Sequence, residues 1–225
     1  MTTDLADARD MAVVHTTYLR ELANAPALVR AIEAGDVARA TVIADHITLM
    51  SLLLTMHHTG EDKHVWPNLI ERVRGEIPLV HVMQEQHQGV HAGLTTVGGA
   101  TESWRNGASA QARDALADAF DHLIPLLRDH LALEVEYIVP LIETHIFAAE
   151  YKLIAADELG VIPPEKAPVI FGMNMYEGAP DVIESMIAAL PVAVQAKMRD
   201  QAPKAYAAYA QEVYGTHTPP RLSPV

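Results

Sequence analysis

The sequence predicts an all-α protein: an up-down antiparallel four-helix bundle at residues 1–150 with a helical C-terminal extension at residues 151–225. Three observations favour this fold. Hydrophobic residues make up 50% of the 225 residues and aromatic residues only 5%, a composition that suits a helical core. Four long segments repeat apolar residues at helical spacing, and turn-forming residues separate them. Several histidines and carboxylates also lie one helical turn apart.

The first two predicted helices are separated by a short turn. The first covers residues 4 to about 34, and its apolar residues fall on one stripe. Gly35 is a typical helix end, and Asp36 can cap the second helix, which covers residues 37 to 73. We therefore expect these two helices to pack antiparallel to each other.

The third and fourth helices follow the same pattern. The third begins near Pro78 and continues to about Arg105, where Asn106-Gly107 gives a stop signal. The fourth covers residues 109 to 148. Together the four segments form the predicted bundle.

The last third of the chain is expected to form shorter helices. Pro180, Pro191 and Pro203 are candidate first residues, because proline suits the first position of a helix. Apolar residues after Pro180 predict a piece that packs on the bundle. The segment from Thr216 is expected to be a loop.

The chemistry-bearing residues lie four apart, on the apolar faces of the predicted helices. Residues at this spacing stack on one helix face, and the turns between the helices bring these residues to similar heights in the bundle. Five imidazoles and two carboxylates directed inward would suit iron, zinc or manganese. The candidate metal ligands are His15, His57, Glu61, His87, His91, His130 and Glu134.

Other interpretations of these residues are weaker. Buried pairs without a metal would leave carboxylates unpaired at a large free-energy cost. A ferritin-like site needs two Glu-x-x-His motifs, and only Glu61 to His64 fits. A zincin needs His-Glu-x-x-His, which the sequence lacks. His46 lies too far along its helix for the same site, and His58 is expected to point about 100° away from His57.

The amino-acid composition argues against several other kinds of site and binding partner. The chain has no cysteine, which excludes disulfides, iron–sulfur clusters and thiolate zinc sites. Its net charge of -13 argues against binding to nucleic acid or to an anionic membrane surface. We expect neither a secretory signal nor an apolar run long enough to cross a bilayer. The predicted location is the cytoplasm.

The order of the motifs resembles that of the hemerythrin family of HHE cation-binding domains, in its bacterial single-domain form. The resemblance covers residues 8 to 148 and includes HHTGEDKHVWPNL around His57 and HLALEVEYIVPLI around His130. The oxygen-carrying members place an aspartate five residues after the last histidine. Here that position is Val135, and Glu134 lies one residue earlier, which favours other branches of the family over dedicated oxygen transport.

The resemblance implies two non-haem iron ions with a bridging oxo or hydroxo group. It also implies that Glu61 and Glu134 bridge the irons, that the histidines are terminal ligands, and that one coordination position stays open. Loss of His91 as a ligand would open a second position. Tyr137, seven residues after His130, is expected on the same face as a hydrogen-bond partner or a further ligand.

The predicted function is redox handling of oxygen, peroxide or nitric oxide at the open iron position. If the protein is an enzyme, it is a di-iron oxidoreductase with catalase- or peroxidase-like activity. The alternative is a protein that senses or stores oxygen or iron without turnover, with the extension signalling to a partner. A homodimer or a protein partner bound through the extension is also expected.

Overall fold

The computed structural model describes residues 4–73 and 75–221, apart from the side chains of residues 158 and 159. This part of the chain is helical, with one isolated antiparallel bridge between Leu5 and Phe147. The helices are α1 (Arg9–Arg30), α2 (Val37–His64), α3 (Trp66–Arg72), α4 (Ile77–Arg105), α5 (Ala110–Leu133), a π-helical turn (Glu134–Ile138), α6 (Val139–His145), α7 (Ala148–Val161), α8 (Ala167–Glu177), α9 (Pro180–Ala188) and α10 (Val192–Tyr214).

The four long helices α1, α2, α4 and α5 surround a shared interior. Helix α1 packs against α2 and α5, and α4 packs against the same two helices. The buried residues of α4 repeat in alternating steps of three and four, which places one continuous stripe against its neighbours. They are Val80, Met83, His87, Val90, Leu94, Val97, Thr101 and Trp104.

The apolar interior consists of two main clusters, one toward each end of the long helices. One cluster includes Leu22, Leu54 and Leu127. The other includes Trp66 and Ile142. Along each long helix, the histidines and glutamates of interest fall between residues of the first cluster and residues of the second. The site is therefore a polar layer with apolar packing on both sides, which limits access of water along the bundle axis.

The second predicted helix is interrupted at Val65. Helix α2 ends at His64 and α3 begins at Trp66. Pro67 explains the interruption, because proline lacks the backbone N–H that would continue the helical hydrogen-bond pattern. Trp66 is fully buried and closes one end of the polar layer.

The fourth predicted helix contains the π-helical turn. A π-helix has more residues per turn than an α-helix, so the buried positions that follow it move by one residue. Ile138 and Ile142 are buried, whereas Tyr137 is 47% exposed. The expectation that Tyr137 lies on the inner face, as a hydrogen-bond partner or further ligand, is therefore wrong.

The C-terminal helices pack on α1 and α2. Helix α8 contacts α1 and α10, and α7 contacts α2. Helix α9 begins at Pro180, as expected, and α10 begins directly after Pro191. Pro203 does not start a helix but lies inside α10. Its position is exposed, so water can bond the carbonyl that the missing N–H leaves unpaired.

A buried ionic network joins the C-terminal helices to α1. Arg20 is fully buried, with Nη2 2.7 Å from Glu21 Oε1 and Nε 2.6 Å from Glu177 Oε1. It also donates to the Tyr206 hydroxyl, which in turn donates to Glu21 at 3.0 Å. Tyr214 donates to the other oxygen of the same glutamate. These contacts fix α8 and α10 against the helix that carries His15.

The expectation that no apolar run is long enough to cross a bilayer is wrong for one segment. Val37–Arg72 is long and apolar enough, by length and composition, to cross a membrane. About 44% of its most apolar stretch is buried inside the structure, and the core helix of a soluble protein meets the same criterion. Part of this segment lies in the core of the bundle, where several of its histidines and one glutamate are buried.

Candidate metal centre

Five helical elements, α1, α2, α4, α5 and the π-helical turn, supply side chains to one buried cluster. His15 comes from α1, His87 from α4, His130 from the end of α5 and Glu134 from the first position of the π-helical turn. Helix α2 supplies three side chains, those of His57, His58 and Glu61. We call the following residues the metal-ligand cluster: His15, His57, His58, Glu61, His87, His130 and Glu134.

One half of the cluster contains two imidazoles, and the carboxylate of Glu61 lies beside them. His15 Nε2 lies 2.9 Å from His57 Nε2, and His57 Nε2 lies 3.1 Å from Glu61 Oε1. Ligand atoms of these residues all lie within 4.8 Å of one another. This spacing is small enough for one cation to contact all of them.

The other half contains three imidazoles. His58 and His87 are stacked, with ring centroids 4.1 Å apart. His130 stands nearly perpendicular to both rings, at 4.9 Å from His58 and 4.7 Å from His87. Their ligand nitrogens also lie within 4.8 Å of one another. A second cation would fit between them.

The two glutamates lie between the halves. Glu61 approaches His57 with one oxygen and His87 with the other, the latter at 3.5 Å. Glu134 Oε2 lies 3.7 Å from His15 Nε2 and 3.4 Å from His130 Nε2. Each carboxylate therefore faces imidazoles of both halves, as a ligand shared by two cations would.

Many of these buried atoms have no hydrogen-bond partner. Both carboxylate oxygens of Glu61 and of Glu134 are unpaired, and so is Nε2 of His58, His87 and His130. The contacts of 3.1–3.7 Å between imidazoles and carboxylates lack hydrogen-bond geometry. Unpaired buried polar atoms are costly and rare in folded proteins. Bound cations would satisfy all of them.

The outer nitrogens of two imidazoles are held in place. His87 Nδ1 donates to Asp62 Oδ1 at 2.9 Å, and His130 Nδ1 donates to Gln86 Oε1 at 3.2 Å. A hydrogen on Nδ1 leaves the Nε2 lone pair directed into the cluster. Such partners orient a metal-binding imidazole and increase its basicity.

Burial favours the neutral form of three imidazoles of the cluster. It lowers the pKa of His15 and of His58 well below the usual value, and the pKa of His130 to about 3. Neighbouring imidazoles add to the effect, because charging one disfavours charging the next. At neutral pH these nitrogens are free to bind a cation without losing a proton.

The pKa values of the two carboxylates are shifted in opposite directions. Burial opposes ionisation of Glu61, but His57 and the other imidazoles outweigh it and lower the pKa to about 2. Burial and the charge on Glu61 raise the pKa of Glu134 well above its usual value. In the cation-free cluster Glu61 therefore ionises more readily than Glu134.

Comparison with known families agrees with this geometry. A family model for the hemerythrin HHE cation-binding domain matches residues 8–149. The chain belongs to the hemerythrin HHE cation-binding family. This confirms the resemblance stated from the motifs. No curated protein and no solved structure matches the chain significantly.

The hemerythrin-like domain is therefore a cation-binding domain, and its buried histidines and glutamates can hold metal ions. The match ends at residue 149, directly after the start of α7. Six of the seven residues that the sequence analysis selected are brought together by the structure. They are His15, His57, Glu61, His87, His130 and Glu134.

His91 is the selected residue that the structure does not bring to the cluster. Its side chain is exposed, whereas Val90 beside it is buried. The buried stripe of α4 steps from His87 to Val90, so the position four residues after His87 turns toward solvent. His58, which the sequence analysis placed on another face of its helix, takes part in the three-histidine half instead.

Two other histidines lie outside the hemerythrin-like centre. His46 is buried, with Nδ1 3.0 Å from the Tyr209 hydroxyl, in agreement with the expected core position. His64 Nε2 lies 2.9 Å from Asp157 Oδ2 of α7. This contact ties α2 to α7 and leaves His64 directed away from the cluster.

Proposed function

We propose that the metal-ligand cluster holds two non-haem iron ions and that oxygen, peroxide or nitric oxide reacts there. One observation carries the proposal: each of Glu61 and Glu134 faces imidazoles of both halves of the cluster. A carboxylate shared by two cations is the natural outcome of that arrangement, and imidazole with carboxylate is a ligand set that iron accepts.

The number of donors supports an open coordination position. Two six-coordinate ions have about twelve positions. Five imidazoles, two bridging carboxylates and a bridging oxo or hydroxo group would fill all but about one of them. When bound, the iron pair would supply the electrons for chemistry with a small oxygen- or nitrogen-containing ligand.

The chain's own residues would orient the ligands and exclude water. Asp62 and Gln86 hold the imidazoles of His87 and His130 by their outer nitrogens. Trp66 packs beside His87, with ring centroids 5.5 Å apart. The apolar clusters on both sides of the site keep bulk water from the carboxylates and so strengthen their attraction to a cation.

Peroxide disproportionation, in which two peroxides give two waters and one oxygen, is the enzymatic form of the proposal. It is tested by measuring oxygen release from peroxide with iron-loaded protein, with His57→Ala as the control variant. Release well above that of free iron, and its loss in the variant, would support turnover. Release no faster than free iron would contradict enzymatic turnover.

The same preparation tests the alternative of oxygen or iron sensing and storage. A stable oxygenated species after reduction and exposure to air would favour binding without turnover. Immediate oxidation without such a species would count against it.

We also infer that the four long helices form an up-down antiparallel bundle, because their contacts close a ring of four neighbours. A location in the cytoplasm is proposed from the lack of cysteine and the acidic composition. Pairing with a second copy or with another protein through α7–α10 stays a prediction.

A further inference from the structure

A groove leads from the surface to one half of the metal-ligand cluster. It lies between α2 and α4 and has a volume of about 530 Å³. We call it the α2–α4 groove. Its lining includes Thr55, His58 and Asp62 on the α2 side and His87, Gln88 and His91 on the α4 side.

The groove has a buried floor and an exposed rim. His58 and His87 form part of the floor; their side chains are buried, and Nε2 of each has no hydrogen-bond partner. Gln88 and His91 are exposed at the rim, together with Asp62, whose side chain is 49% exposed. Solvent therefore reaches two ligands of the three-histidine half by this path.

The groove does not expose the half of the cluster that contains His15 and His57, which we call the two-histidine half. Neither His15 nor His57 lines the groove. A cation that enters from solvent between α2 and α4 thus meets the three-histidine half first. This asymmetry gives the two halves different access to the surface.

The rim carries donors that suit a hydrated divalent cation. His91 lies one turn beyond His87, about 6 Å along the helix axis. Asp62 supplies a carboxylate on the opposite wall, and amide oxygens are available from Gln84 and Gln88. Imidazole, carboxylate and amide oxygen are all ligands for first-row divalent metals.

We propose that the α2–α4 groove is the path by which a divalent metal ion enters the centre, and that His91 binds the incoming ion transiently at the rim. The inference rests on the proposed metal centre and adds a role for a histidine that the cluster does not include. The exposed position of His91 suits a residue that exchanges with water, whereas the buried floor retains the ion.

Loading kinetics test this role. Metal-free protein is mixed with Co²⁺, whose visible absorption changes when imidazole binds it, and the rate of loading and the final bound cobalt are measured. His91→Ala is expected to slow loading about tenfold, since it removes a donor that raises the local cation concentration. The final cobalt content should equal that of the wild type.

Two controls separate entry from other effects. His81→Ala removes another exposed histidine of α4 that does not line the groove, and it should load at the wild-type rate. Gln88→Trp should slow loading by filling the groove, whereas Glu85→Trp, exposed on the same helix outside the groove, should not.

Three outcomes would overturn the inference, and they are distinguishable. Wild-type rates in both His91→Ala and Gln88→Trp, with normal cobalt content, would refute entry through this groove and leave the proposed function intact. A lower final cobalt content in His91→Ala would make His91 a permanent ligand. Lack of cobalt binding by the wild type would refute the metal centre itself, and the entry path with it.

Discussion

The imidazole rings of His58 and His87 lie face to face across the interface of α2 and α4, with centroids 4.1 Å apart and planes 12° apart. Two buried imidazoles in this arrangement direct ring nitrogens toward the same interior space. The pair places the fifth histidine of the buried cluster on α2, whereas the motif spacing on α4 points to His91.

This assignment predicts different effects of two alanine substitutions. His58→Ala should reduce bound iron from about two ions per chain to about one, because the three-histidine half loses a ligand. His91→Ala should leave the final iron content unchanged. Elemental analysis of both purified variants checks the prediction. The reverse order of iron contents would show that His91 is the ligand.

Asp62 is expected to strengthen metal binding at the centre without being a ligand of the ions held there. Its carboxylate accepts the Nδ1 hydrogen of His87, so Asp62→Ala should weaken metal affinity by about 10–100-fold. Competition with a chelator measures the affinity. Asp129→Ala, an exposed aspartate beside His130 in sequence, is the matched control. Equal metal affinity in Asp62→Ala and wild type would show that Asp62 does not support metal binding.

The metal-free protein should lose stability as the pH falls. Burial lowers the pKa of His15, His58, His130 and His46 in the folded state. Below about pH 6.5 the unfolded chain therefore binds protons that the folded chain does not, and the free energy of unfolding decreases with acidification. Each such histidine contributes up to about 1.4 kcal/mol per pH unit, and for His130 the loss continues down to about pH 3.

Chemical denaturation of metal-free protein at pH 7.5, 6.5 and 5.5 would measure this dependence. His58→Leu, which removes one of the titrating groups, should reduce the slope below pH 6.5. A free energy of unfolding that is independent of pH in this range would mean that the imidazoles are not buried as described.

The buried Arg20 should be essential for docking of α8 and α10. Arg20→Met keeps much of the side-chain volume but leaves Glu21 and Glu177 without their cation. Breaking one partner of a buried ion pair typically costs about 3–5 kcal/mol. Thermal or chemical denaturation checks this. Arg30→Met, at an exposed ion pair with Asp121, should unfold close to the wild type, and similar results for both variants would contradict the structural role of the network.

The sequence is sufficient to predict most of the centre, because ligands four apart on an apolar helical face must point inward together. His57 with Glu61 and His130 with Glu134 are found by this rule. His15 is found only by its height relative to the turn at Gly35. The prediction of these residues needs only the regular geometry of single helices and the position of the turns between them.

The features of the site that the sequence does not predict depend on how the helices pack against one another. His58 is about 100° from His57 on an isolated helix, yet α2 contacts α1, α4 and α7 and is buried on more than one side. The alternating three-and-four pattern on α4, with Val90 as a core residue, was the signal that His91 leaves the stripe. The π-helical turn at Glu134–Ile138, where Tyr137 is exposed, has no clear mark in the sequence.

The iron content and absorption spectrum of the wild type test the central claim most directly. Protein made in iron-supplemented culture should contain about two iron ions per chain, with oxo-to-iron charge-transfer bands in the near ultraviolet. Glu134→Gln, which keeps the side-chain shape but removes a bridging carboxylate, should lose the bands while its helical circular dichroism is retained. A wild-type protein without bound metal, or with a single colourless zinc ion, would contradict the di-iron centre.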